Sequence, residues 1–322
     1  MSSLLRSLAV ALAATLLAFP ALAIELRLGL QATGTAKWEL AAMQALGLDQ
    51  AHGLELEVRD VADSRAGQVA LQAGAVDVIL SDFVWVSLQR DAGNMVTLVP
   101  HSLTVGGLMV DPAAGITTIA DLKGKTIAVS GSPVDKSYVV LAAYYMKATG
   151  GVLSEDADVR FGAPPLVNEL LTSGQADAAL NLWNWNARAA LAGKAEIVSV
   201  PAMLADLGLA RTPPLLGWTF FEDGPTEVVR AFLDASFETK AALLADDALW
   251  EQIRGAMNVG EDDALFAQLR DSYRAGVVSR YGAEDIEAAD AYFDLIARFG
   301  GLGEASDATA LAAGTFWQGY SK

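Results

Sequence analysis

An eleven-residue pattern occurs twice in this chain, with an offset of one hundred residues. The first copy, Leu71 to Ser81, reads L-Q-A-G-A-V-D-V-I-L-S, and the second, Leu171 to Asn181, reads L-T-S-G-Q-A-D-A-A-L-N. In both copies a helical pattern ends at a glycine and a short apolar run follows, which is typical of a helix C-cap before a buried strand. The repeat therefore predicts two similar α/β lobes with a cleft between them.

The segments around the repeat predict alternating strands and helices in both lobes. Strands are expected at 24–30, 54–58 and 76–80, and again at 126–129, 159–161 and 176–180. Because alternation at this spacing is typical of parallel strands joined by crossover helices, we expect a doubly wound sheet in each lobe.

Beyond Gly217 only helical patterns continue, so the C-terminal third is predicted to be helical and to pack back on the first lobe. The expected division is therefore a discontinuous first lobe, residues 24–110 plus 216–322, and a second lobe, residues 111–215. The two lobes would be joined by crossings near 108–111 and 215–221.

The first 23 residues have the features of a secretory signal peptide. Arg6 supplies a positive charge, Ser7 to Phe19 form a short apolar run, and Ala21 to Ala23 form a small-x-small cleavage site. A retained membrane anchor is the alternative, but the run is shorter than the roughly 20 residues that a spanning helix needs. Without a cysteine there is no lipobox, so we expect a secreted, soluble protein that is not lipid-anchored.

Composition excludes several functional classes. The formal net charge of −17 disfavours binding to nucleic acid, and the lack of cysteine excludes disulfides, thiol chemistry and cysteine-bound zinc. The only histidines, His52 and His101, lie outside the candidate loops and are interpreted as surface or turn residues. With no recognisable catalytic or metal motif, we expect no enzyme, no metal and no cofactor.

Ligands of open α/β sheets bind beyond the carboxyl ends of the strands. Four predicted loops lie there, at 31–35, 81–85, 130–136 and 181–186. Five of the seven tryptophans fall in or beside these loops or in the second crossing, which favours a stacking pocket over ordinary core packing. These five tryptophans are Trp38, Trp85, Trp183, Trp185 and Trp218.

Three local features allow two interpretations each. The rings of Trp183 and Trp185 would project together from a strand but diverge if a helix begins there. The segment 130–133 could receive an anion or carbonyl at a helix N-terminus, or a serine there could simply be the N-cap. Asp82 is either an N-cap, which we favour, or a carboxylate that binds a ligand N–H.

Several segments in order resemble the solute-binding proteins of nitrate/sulfonate/taurine-type ABC importers, a group that includes binders of thiamine-pyrimidine precursors. The segments are 30–34 (L-Q-A-T-G), the two copies of the repeat, and 121–129 (D-L-K-G-K-T-I-A-V). The resemblance covers the whole mature chain. It implies a two-lobed periplasmic-binding-protein fold of type II with a hinge, a periplasmic location, and a monomer that delivers a small solute to an ABC permease.

Carried over by position, the resemblance implies a ligand shell drawn from the predicted loops. Its members are Thr33, Thr35, Trp38, Ser81, Asp82, Trp85, Ser132, Asn181, Trp183, Trp185 and Trp218. Because tryptophan is abundant and only Lys37 and Lys136 are basic there, we expect a flat or partly apolar organic solute, or an organic cation, rather than nitrate or bicarbonate. The alternatives are an accessory or sensor protein for a periplasmic enzyme and an enzyme related to pyrimidine synthesis.

Overall fold

The computed structural model describes residues 23–299 and 308–321. The expected signal peptide, apart from Ala23, lies outside the described residues. The described strands form two five-stranded sheets. None of the described helices combines the length and the apolarity that crossing a membrane requires.

The first sheet has the strand order β2-β1-β3-β10-β4. Strands β1, β2 and β3 pair in parallel, as predicted, whereas β10 pairs antiparallel with both β3 and β4. The bounds are β1 (Ile24–Gln31), β2 (Leu54–Val61), β3 (Val78–Asp82), β4 (Val96–Ser102) and β10 (Leu216–Phe221).

The second sheet repeats this arrangement in the order β7-β6-β8-β5-β9. Strands β6, β7 and β8 are parallel, and β5 lies antiparallel between β8 and β9. The bounds are β5 (Gly107–Val110), β6 (Thr126–Ser130), β7 (Asp158–Gly162), β8 (Ala178–Asn181) and β9 (Ala195–Ser199).

Helices cover both sheets. Those before β10 are α1 (Ala36–Leu46), α2 (Leu48–Ala51), α3 (Ser64–Gln72), α4 (Phe83–Asp91), α5 (Lys136–Thr149), α6 (Leu153–Asp156), α7 (Pro164–Thr172), α8 (Trp183–Leu191) and α9 (Val200–Asp206). Those after it are α10 (Thr226–Ala245), α11 (Asp247–Gln252), α12 (Arg254–Met257), α13 (Asp263–Ala275) and α14 (Ala283–Arg298).

The repeat has a clear structural role. Gly74 and Gly174 both adopt the left-handed backbone conformation, with φ of 67° and 75°, directly after α3 and α7. Three residues later an aspartate carboxylate accepts a hydrogen bond from the neighbouring strand: Asp77 from the Arg27 N–H at 2.9 Å, and Asp177 from the Thr126 N–H at 2.8 Å. The glycine turns the chain and the aspartate ties the new strand to the old one, so the pattern builds the same αβ unit twice.

The division into lobes stays a proposal, and the strand pairing suggests one adjustment to it. Strand β5 was expected in the first lobe, yet it pairs with β8 and β9 of the second sheet. The first change of sheet therefore falls before Gly107. Helix α10 packs on α1, as expected, but other C-terminal helices reach further: α13 contacts α8 and α14 contacts α5.

Candidate functional site

A cleft with a volume of about 110 Å³ lies where the β1–α1 loop, the start of α3, the end of β4 and the first turn of α8 meet. Residues from both sheets' connections therefore contribute to it. Its polar and aromatic lining includes Gln31, Thr33, Thr35, Ser64, His101, Ser102, Thr104, Trp183, Asn184, Trp185 and Tyr273.

Four of the predicted ligand residues line this cleft: Thr33, Thr35, Trp183 and Trp185. Since α8 begins at Trp183, the two tryptophans follow helical and not strand geometry, the second of the two alternatives. The rings of Trp183 and Trp38 pack edge to face with centroids 5.8 Å apart, and the Arg188 guanidinium lies 5.5 Å from the centroid of the Trp185 ring. The two rings are thus held by different neighbours at the same mouth of the cleft.

The other predicted residues are not among those that line the cleft. Trp38 is buried behind Trp183, and Trp218 is fully buried, with its indole N–H donating to Ser236 at 3.2 Å. Ser81 and Asn181 are also buried, while Asp82, Trp85 and Ser132 are half-buried. The structure therefore separates the predicted shell into a cleft group and a group of buried or distant residues.

Asp82 is an N-cap, as favoured from the sequence: it accepts a hydrogen bond from the Trp85 N–H at 2.9 Å. The segment 130–133 was expected to lie at a helix N-terminus, and this position was wrong. Helix α5 begins only at Lys136, and its cap is Asp135, which accepts from the Ser137 N–H at 2.9 Å. Neither Ser130 nor Ser132 is at that helix terminus.

Two of the helices that begin at the cleft, α1 and α8, differ in this respect from α4 and α5. No described side chain caps α1, whose N-cap residue is Thr35, or α8, whose N-cap residue is Leu182. An uncapped N-terminus leaves N–H groups that water or a ligand must satisfy, and its dipole favours an electronegative partner. The N–H groups of Lys37, Trp38 and Trp185 already donate to backbone carbonyls. The first N–H groups of the two helices are therefore the ones that can receive acceptor atoms of a solute.

The interpretation of His101 as a surface or turn residue was wrong. Its side chain is only 4% exposed and lies at the end of β4 in the lining of the cleft. The ring packs against Trp218 at a centroid distance of 4.8 Å, and Nδ1 lies 3.6 Å from Glu39 Oε2. This contact would be an ion pair if His101 were protonated, but burial and the charge of Lys240 lower the pKa of His101 well below its usual value.

Beneath the cleft lies a buried polar network that the sequence analysis missed. Glu39 on α1 accepts hydrogen bonds from Ser236 on α10 and from the Tyr273 hydroxyl on α13, the latter at 2.9 Å. Lys240 donates to the His101 carbonyl at 3.0 Å. Burial lowers the pKa of Lys240, and burial together with Glu39 raises the pKa of Tyr273 well above its usual value.

A signal for this network is present in the sequence. Lys240 lies three residues after Phe237 and three before Leu243, inside an apolar helical stripe, and all three side chains are buried. A charge inside such a stripe must find a partner, because an unpaired buried charge is very costly. The pattern could therefore indicate that a buried partner exists, although it could not identify Glu39.

Among the described residues that line the cleft, none is lysine or arginine, and the carboxylate of Asp63 already caps α3 by accepting the Ala66 N–H at 2.8 Å. The remaining groups are hydroxyls, amides, an imidazole and indole rings. Such a lining can surround a small polar solute and stack against a flat one.

Comparison with known proteins agrees with this architecture. The NMT1/THI5-like family profile matches residues 40–247, more than half of the chain. The chain belongs to the NMT1/THI5-like family. No curated protein sequence matches it.

Solved structures share the fold at low sequence identity. The alkanesulfonate-binding protein SsuA from Xanthomonas axonopodis pv. citri, bound to MOPS, has a TM-score of 0.71 and 20% identity, over 91% of this chain and 98% of that one. The periplasmic aliphatic sulphonate-binding protein SsuA from Escherichia coli has a TM-score of 0.69 and 15% identity, over 91% and 92%. The periplasmic nitrate-binding protein NrtA from Synechocystis PCC 6803 has a TM-score of 0.65 and 13% identity, over 88% and 83%. The two-lobed α/β fold of periplasmic binding proteins, expected from the resemblance, is confirmed.

Proposed function

We propose that this protein is a periplasmic solute-binding protein that closes on a small organic solute and delivers it to an ABC permease. It acts as a monomer and catalyses no reaction on the solute. The observation that carries the proposal is the cleft in which the uncapped N-termini of α1 and α8 meet Trp183 and Trp185. The fold and family shared with ABC-importer binding proteins support it.

In this proposal the solute supplies acceptor atoms to the free N–H groups of the two helices and a flat or partly apolar face to the tryptophans. Closing the cleft removes water from these contacts and so strengthens them. A micromolar dissociation constant corresponds to about −8.2 kcal/mol, which is enough to bias an equilibrium between open and closed lobes.

The three structures named above are sulfonate-binding or nitrate-binding proteins, and an inorganic anion is the competing ligand class. This chain has no lysine or arginine among the described cleft residues, which favours an uncharged or cationic organic solute. Transport is favoured over an accessory or sensor role by the family alone, so the permease partner needs a separate test in membranes that contain it.

The test is a thermal-shift screen of residues 24–322 against flat heterocycles, organic cations, sulfonates and inorganic anions. A solute at one hundred times its dissociation constant adds about 2.7 kcal/mol to the unfolding free energy, a shift of several degrees. Trp185→Ala should abolish the shift, whereas the control Trp85→Ala, outside the cleft, should retain it. A shift with small anions alone, or equal loss in both variants, would refute the assignment.

A further inference from the structure

His101 combines a place in the cleft lining with a rigid attachment to the buried network below. The Lys240 ammonium holds its carbonyl at 3.0 Å, and Trp218 packs edge-on against its ring. Trp218 is in turn held by Ser236. A residue held through its backbone carbonyl and through one face or edge of its ring presents the rest of the ring to a solute in a defined orientation.

The protonation of the ring follows from its neighbours. Its Nδ1 is buried without a hydrogen-bond partner in the described part of the chain, and Glu39 Oε2, at 3.6 Å, is the charged group beside it. A hydrogen on Nδ1 directed at a carboxylate is favoured over a lone pair at that place. The charged groups around the ring are Glu39 and Lys240, with the hydroxyl of Tyr273 bonded to the same carboxylate. The neutral ring with hydrogen on Nδ1 leaves a lone pair on Nε2.

We propose that His101 is a ligand-binding residue whose Nε2 accepts a hydrogen bond from a small planar solute that carries an N–H or O–H donor. This inference rests on the proposed function of the cleft. Because Nδ1 is buried, Nε2 is the ring nitrogen that a bound solute can reach. Glu39 acts as a positioning residue, since it selects the form of the ring without touching the solute.

This assignment narrows the ligand class. A sulfonate or nitrate offers only acceptor atoms, which would meet the Nε2 lone pair with no hydrogen between them. A solute with an amino or amide group supplies a donor to His101 and can still offer an acceptor to the uncapped termini of α1 and α8. Sites that hydrogen-bond a specific group reject analogues without it, because the buried polar partner would be left unpaired.

The chain is well suited to a direct test, because it has only two histidines. Ring-¹⁵N NMR of the solute-free protein reports the tautomer and charge of each, and His52→Gln, which removes the histidine beside Glu238, assigns the signals. We expect His101 to remain neutral between pH 5 and 8 with hydrogen on Nδ1. Hydrogen on Nε2, or protonation within that pH range, would overturn the inference. Since no solute is present, the result does not depend on whether the cleft binds one.

A variant and two probes complete the experiment. Glu39→Gln should change the tautomer ratio of His101, while Glu238→Gln should affect His52 alone; an unchanged His101 in Glu39→Gln would refute the positioning role. In the wild type, 4-aminopyrimidine, a planar donor, should shift the His101 Nε2 signal, and benzenesulfonate should not. A shift with benzenesulfonate alone, or with neither probe, would refute the donor class.

Discussion

Two pairs of helix N-termini in this molecule differ in how their free N–H groups are satisfied. At the cleft, no described side chain caps α1 or α8, and the neighbouring side chains are aromatic. In the other pair, Asp82 caps α4 and Asp135 caps α5. In the first pair only backbone carbonyls satisfy first-turn N–H groups, those of Lys37, Trp38 and Trp185, and in the second pair aspartate side chains do so.

The difference arises within the internal repeat. With the offset of one hundred residues, α4 (Phe83–Asp91) matches α8 (Trp183–Leu191), and Trp85 matches Trp185. Leu182 stands where the first copy has the capping Asp82. The Trp85 N–H therefore donates to a carboxylate, whereas the matching Trp185 N–H donates to the Leu182 carbonyl at 2.9 Å and α8 has no side-chain cap. Two helices that match in the repeat can therefore differ in the chemistry of their N-termini.

In the second pair, the capping carboxylates lie close enough to one another and to the protein interior to have an electrostatic cost. Burial, with a contribution from the charge of Asp82, raises the pKa of Asp135 to about 6. Burial, with contributions from the same two carboxylates, raises the pKa of Tyr292 well above its usual value, and the Tyr292 hydroxyl is buried without a described partner. The stability of the region around Asp82, Asp135 and Tyr292 should therefore depend on pH, whereas that of the cleft should not.

The largest expected effect on the free energy of unfolding comes from replacing a tryptophan beside the cleft. Trp38→Ala removes a ring that is 3% exposed and supports Trp183 and Tyr273, so the free energy of unfolding should fall by about 3–5 kcal/mol. Trp85→Ala removes a half-buried ring from α4 and should cost less, about 1–3 kcal/mol. Urea denaturation measures both. If Trp85→Ala were the more destabilising variant, the tryptophan on α1 would not be better packed than the tryptophan on α4.

Asp135→Asn tests the electrostatic cost of the carboxylate that caps α5. The pKa of the carboxyl is 3.8 when unfolded and about 6 when folded, so the folded state binds more protons between these values. The contribution of Asp135 to the free energy of unfolding should therefore fall as the pH rises from about 4 through 6. For a half-buried group the accumulated loss is about 1–2 kcal/mol.

The asparagine variant keeps an acceptor for the Ser137 N–H but cannot ionise, so it should be more stable than the wild type at pH 7.5 and equal to it near pH 4. Thermal unfolding at the two pH values decides this. An equal difference at both values would mean that ionisation of Asp135 is not the cause.

The smallest expected effect on the free energy of unfolding comes from giving the N-terminus of α8 the aspartate that α4 has. Leu182→Asp gives α8 the cap that Asp82 gives α4, and Leu182 is 38% exposed, so little packing is lost. The unfolding free energy should rise by about 0.5–1 kcal/mol, and the thermal shift with any solute found in the screen should be lost. Leu191→Asp, at the other end of the same helix, is the control: it opposes the helix dipole and should lower stability by a few tenths of a kcal/mol while binding is retained.

A stable Leu182→Asp protein that still bound the solute would show that the N-terminus of α8 is not part of the site. The contrast between the two pairs of helices would then concern stability alone.

The sequence by itself determined the architecture. The positions of Gly74, Gly174, Asp77 and Asp177 predicted the two αβ units, because a left-handed turn and a strand-tying carboxylate are local requirements that local residues satisfy. The candidate site could be predicted only in part. Thr33, Thr35, Trp183 and Trp185 follow predicted strands directly, so their placement in the cleft depends on short connections.

Only the tertiary structure decided the roles of Trp38, Trp218 and His101. Trp38 is buried because α13, more than two hundred residues further along the chain, brings Tyr273 beside it, while Trp183 packs against it as well. His101 is buried because Lys240 on α10 and Glu39 on α1 meet around it. Burial and electrostatic pairing depend on which distant elements become neighbours, and no spacing along the chain encodes that proximity.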